Sequence, residues 1–127
     1  MKYMLLVYSD EGAWSEEEQR SCMAESSALA NRLHQEGKCI DVAALQSVSV
    51  ATGVRVRDGK AQMTDGPFAE SREQLGYYLI DVENLDAAIA IAREIPGAAR
   101  GTIEIRPLVE LPALSYMHDN TNFSAAR

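Results

Sequence analysis

The hydrophobic periodicity of this chain changes from strand-like to helix-like and back twice, and that alternation most narrows the folds open to it. Lys2 to Tyr8 is an apolar run rich in Leu, Val and Tyr, the pattern of a strand buried on both faces. Ser9-Asp10-Glu11-Gly12 breaks it. Ser15 and Glu18 have capping-box spacing, and Cys22, Met23, Ser26, Leu29, Ala30 and Leu33 then recur as one helical stripe that Gly37 stops. Cys39 to Val50 has strand composition. Gly76 to Val82 alternates, with Tyr78, Ile80 and Val82 on one face and Tyr77, Leu79 and Asp81 on the other. Asn84 caps a second helix with the stripe Leu85, Ala88, Ile89 and Ala92, ended by Pro96-Gly97. Thr102 to Leu108 sets Ile103 and Ile105 against Glu104 and Arg106.

One further segment interrupts this series. Thr52 to Arg57, Asp58-Gly59 and Lys60 to Met63 read as a hairpin with a type I′ turn, and Arg55 and Arg57 give it a wet face. With the hairpin set aside the order is β-α-β-β-α-β. Right-handed crossovers fold that order as a ferredoxin-like α+β sandwich, with two helices on one face of an antiparallel sheet. The other face would carry Tyr77, Leu79, Glu104 and Arg106, in part too apolar to be left in water. A homodimer packed sheet against sheet would cover it, forming a dimeric α+β barrel with a cleft for a small ligand. A length of 127 residues suits one domain, 1–109, followed by a tail, 110–127, of prolines and small polar residues.

Charge and composition exclude several partners. A net charge of −7, from 12 basic and 19 acidic residues, disfavours nucleic acid phosphates and an anionic membrane surface. No apolar run reaches bilayer length, and Met1 to Tyr8 is too short for a signal peptide. The two cysteines, Cys22 and Cys39, make no disulfide framework, so a cytoplasmic protein with reduced thiols is expected. Gly-rich phosphate loops are missing, and His34 and His118 are not placed to build a Ser-His-Asp set. The spacing of Cys22, His34 and Cys39 matches no common zinc pattern. Neither a cofactor nor a metal is expected.

Thr64-Asp65-Gly66-Pro67-Phe68-Ala69-Glu70 is the stretch with the densest chemistry. Gly66 tolerates positive φ, Pro67 fixes its own φ, and the Asp65 carboxylate can fold onto nearby backbone N–H groups, which describes a rigid Asx-type turn. The same turn can instead present Asp65, Phe68 and Glu70 at a pocket rim. On that reading Asp65 and Glu70 are the candidate general bases. Phe68, Tyr77, Arg106 and Gln46 are the candidate ligand contacts. Arg106 could hold a substrate carboxylate, or pair with Glu104 or Asp81 across strands. His34 suits a helix C-terminus, and Cys22 suits the packing stripe.

These segments resemble the DGPF branch of the YCII-related family. The matching stretches are Met1 to Tyr8, Val54-Arg55-Val56-Arg57-Asp58-Gly59-Lys60, Thr64 to Glu70, Glu73 to Val82, and Ile103-Glu104-Ile105-Arg106-Pro107. The resemblance implies a dimeric α+β barrel. It also implies kinship with small enzymes that use a His–Asp pair in the cleft, but the corresponding helix position here is around Ser26 and holds no histidine. A cofactor-free lyase, isomerase or hydrolase is one functional expectation. The other is a regulatory or interaction module, because members of this branch are often encoded beside alternative sigma factors.

Overall fold

The computed structural model describes residues 1–67 and 73–114. In chain order the elements are β1 (Lys2–Tyr8), α1 (Glu16–Gln35), β2 (Cys39–Ala44), β3 (Thr52–Arg57), β4 (Lys60–Asp65), β5 (Gln74–Asp81), α2 (Leu85–Ala92) and β6 (Thr102–Pro107). The main sheet has four strands in the order β2-β5-β1-β6, and every neighbouring pair is antiparallel. β3 and β4 pair separately as a hairpin. The chain is thus a mixed α+β structure with two helices and antiparallel sheets.

Local chemistry sets the element ends. Ser15 accepts the Glu18 N–H at 3.1 Å while the Glu18 carboxylate accepts the Ser15 N–H at 2.9 Å, so α1 opens with a complete capping box. At the other end the Gly37 N–H donates to His34 O and the Lys38 N–H to Leu33 O, with Gly37 at φ +75°. That is a Schellman stop, and it satisfies carbonyls the helix leaves over. Asn84 caps α2 by accepting the Ala87 N–H at 3.0 Å. Asp58 and Gly59 both have positive φ, as the two-residue turn joining β3 to β4 requires.

Both helices lie on one face of the sheet. Leu29, Leu33, Ile91 and Ile95 pack onto Tyr3, Leu5, Tyr78 and Ile80, and Leu5 and Ile80 are wholly buried. By register, Tyr77 lies opposite Leu6 and Ala43, Leu79 opposite Met4, Arg106 opposite Met4, and Glu104 opposite Leu6. These side chains share the helix-free face because alternate strand residues point oppositely.

Three expectations are corrected. The second strand ends at Ala44 rather than Val50, and Val48–Val50 is a 3₁₀ turn. Ser47 accepts the Ser49 N–H with its own side chain, offering the backbone an alternative to the ladder. The inner stripe of α2 is Ala88, Ile91 and Ala92, which the helix turns toward the sheet, so Leu85 and Ile89 are exposed. In α1 only Leu29, Ala30 and Leu33 of the expected stripe are buried. Met23 is exposed, and Cys22 and Ser26 are half-buried, because the N-terminal half of the helix stands off the sheet.

Candidate functional site

That stand-off creates the site. Ser26, Ser27 and Ala30 on α1 face an edge of the sheet that holds Ala43, Ala44 and Gly76. Small residues on both sides do not fill the gap, and a half-open cavity of about 510 Å³ remains between α1 and the β2–β5 edge. Protein interiors seldom keep voids larger than a water molecule, whereas ligand pockets span roughly 300–1,000 Å³. Gly76 is needed for the close approach of β2, since a Cβ there would strike Ala43 O and lie 3.2 Å from Ala44 Cα.

Trp14, Met23, Leu45, Leu75 and Tyr78 give the cavity largely apolar walls, and Gln19, Gln46, Ser47 and Glu11 add polar groups. Two loops meet at its mouth. One follows β1 and forms the 3₁₀ turn Glu11–Ala13, with Asp10 accepting the Gly12 N–H at 2.9 Å. The other follows β2. Glu11 Oε1 accepts the Val48 N–H at 2.7 Å and ties them together.

Trp14 is held on two sides. Its Nε1–H donates to Ser9 Oγ at 3.0 Å, and the Arg100 guanidinium stacks 4.6 Å from its ring centroid. Arg100 also donates to Ala13 O at 3.1 Å and pairs with Glu18. Hydrogen bonding to Arg100, then to the Ser15 backbone, holds the Glu18 carboxyl down from 4.5 to about 2.

The nucleophiles near the cavity are not activated. Burial is the main cause that pushes the Cys22 thiol up, against a lowering bond to Ser26, so it stays protonated at neutral pH. Burial does the same to Cys39. The Tyr78 hydroxyl donates to Ser26 O at 3.3 Å, and its phenol is raised chiefly by burial. His34 Nδ1 sits 3.4 Å from Cys39 O, consistent with a role at the helix end. Among the described residues no group of three His, Cys, Asp or Glu could hold a metal, and no helix is long and apolar enough to cross a membrane.

Of the sequence candidates Gln46 lines the cavity, and Tyr77 borders it through β5 while its side chain points to the helix-free face. The Tyr77 hydroxyl donates to Asp41 Oδ2 at 2.9 Å, and this bond is the first cause raising its phenol above the ordinary value. Asp65 lies elsewhere, exposed at the end of β4 opposite Thr52. The adjoining Gly66 has φ +90° and donates its N–H to Ala51 O at 2.6 Å, a turn tied to the base of the hairpin. Arg106 is exposed on β6, and Asp81 meets the Met1 ammonium at 3.2 Å. Phe68 and Glu70 lie outside the described residues. Sequence reasoning missed Trp14, Glu11 and Leu45, whose only signal was their place in the breaks after the first and second strands.

Residues 1–112 match the YCII-related domain. An uncharacterised protein of Rhizobium meliloti (strain 1021) is 40% identical over 124 residues, an alignment that covers 89% of this chain and 100% of that protein. On this footing the chain belongs to the YCII-related family.

Proposed function

We propose that this protein binds a small organic molecule in the cavity between α1 and the β2–β5 edge, and does so as a homodimer. The subunits are ferredoxin-like and pack through the helix-free face as a dimeric α+β barrel. The Asp65-Gly66-Pro67-Phe68 stretch supports assignment to the DGPF branch. A cytoplasmic setting suits two free thiols. The observation that carries the ligand reading is the cavity itself: about 510 Å³ and mainly apolar, with a few polar groups in its lining. Met4, Leu6 and Tyr77, partly exposed on the helix-free face, support the dimer. Asp65, Arg106 and Tyr77 are then candidates for the chamber between subunits, while Gln46 serves the cavity. Any turnover would be cofactor-free, with proton transfer falling to carboxylates.

The test is to fill the space. Ser27 lines the cavity and is otherwise exposed, so Ser27→Phe should leave the fold intact. Trp14 is the single tryptophan, and its indole N–H cross-peak in a ¹H–¹⁵N spectrum reports occupancy of the cavity. Titration with 2-naphthylmethanol should shift that peak in the parent protein and fail to do so in Ser27→Phe. An equal shift in both proteins would refute the assignment of the cavity as the ligand site.

A further inference from the structure

Glu11 is the one charged residue among the described residues lining the cavity. It is half-buried, and its position is set from two directions. The Asp10 cap fixes the 3₁₀ turn that carries it, and the Val48 N–H holds Oε1 at 2.7 Å. A carboxylate has about four lone-pair sites, so one backbone donor leaves Oε2 and part of Oε1 able to accept more. The apolar walls around it, Trp14 and Leu45 among them, lower the local dielectric and strengthen whatever bond it forms.

We infer that Glu11 is the residue by which this cavity recognises its ligand, and that the ligand is a compact apolar molecule bearing a hydrogen-bond donor, either a protonated amine or a hydroxyl. This rests on the cavity being the ligand site. The carboxylate accepts the donor through Oε2 while the ring or alkyl body lies against Trp14 and Tyr78. A ligand carboxylate at the same spot meets a like charge and offers no proton.

Three probes with one ring system separate the outcomes: 2-naphthylmethylamine, 2-naphthylmethanol and 2-naphthoate, each titrated against the Trp14 indole cross-peak. The amine and the alcohol should bind at least about tenfold tighter than the carboxylate. Glu11→Gln keeps an oxygen for the Val48 N–H and removes the charge, so its backbone spectrum should match the parent. In that variant the amine should weaken at least about tenfold while the alcohol changes less than about threefold. Equal or tighter binding of the carboxylate, or an amine affinity unaffected by Glu11→Gln, would overturn the inference and leave the cavity reading standing. No shift with any probe would overturn both.

Discussion

Replacing Gly76 by alanine isolates the contact that brings β2 against β5 beneath the cavity. A strand glycine is ordinarily a weakness, and alanine in its place gains about 0.5–1 kcal/mol. Here the added Cβ would strike Ala43 O and lie 3.2 Å from Ala44 Cα. Both obstacles are backbone atoms, which cannot rotate away as a side chain can. β2 is an edge strand, so it can yield only by moving outward and loosening its ladder to β5. Overpacking of this kind costs about 1–3 kcal/mol. Two rigid backbone contacts place this site at about 2–3 kcal/mol, so subtracting the gain leaves a net loss of about 1–2.5 kcal/mol. For a chain of this length that lowers the melting temperature by about 3–10 °C. Circular dichroism melts read it directly. Gly53→Ala is the control, because the nearest atoms to a Cβ there are 3.9 Å away and nothing must shift. Displacement of β2 should also weaken 2-naphthylmethanol binding in Gly76→Ala. A melting temperature equal to or above the parent's would refute the close-approach reasoning.

Leu33→Ala should cost about 2–5 kcal/mol in urea unfolding, because Leu33 is 1% exposed beneath α1. The folded-state pKa of Glu18 is depressed, so its contribution to stability is fully present above pH 4.5 and is lost as the pH falls toward about 2. Melts of Glu18→Gln should accordingly show a shallower loss of stability across that window than the parent. On the proposed sheet-to-sheet dimer, Leu6→Lys places a charge in the middle of the interface, opposite Tyr77 and Glu104, so sedimentation equilibrium should find the parent dimeric and the variant a folded monomer. Asp65 lies apart from the cavity, so Asp65→Asn should leave 2-naphthylmethanol binding unchanged. A loss of stability alone would support the turn reading.

Features governed by neighbours in the chain were legible before any tertiary contact was known. The Ser15 and Asn84 caps, the Gly37 stop and the Asp58-Gly59 turn depend on hydrogen bonds and dihedrals within a few residues, and each stands where its sequence signal puts it. The strand alternation likewise separated Tyr78 and Ile80 from Tyr77 and Leu79 correctly, because side-chain direction in a strand has period two. Helix stripes were less secure. An amphipathic pattern shows which residues are apolar but not how far the helix stands from its sheet, so it assigns Met23 and Cys22 to a core that leaves one exposed and the other half-buried.

The candidate site shows the same division more sharply. Among the described residues Gln46 is the one sequence candidate whose side chain belongs to it, whereas Glu11 and Trp14 reach it through contacts between segments far apart in sequence. Sequence by itself determined the caps, the turns, the strand faces and the family to which they point. Only the tertiary structure decided that small residues on α1 would oppose small residues on β2 and β5. A void is a property of two surfaces at a given separation, and neither surface carries that separation in its own residues.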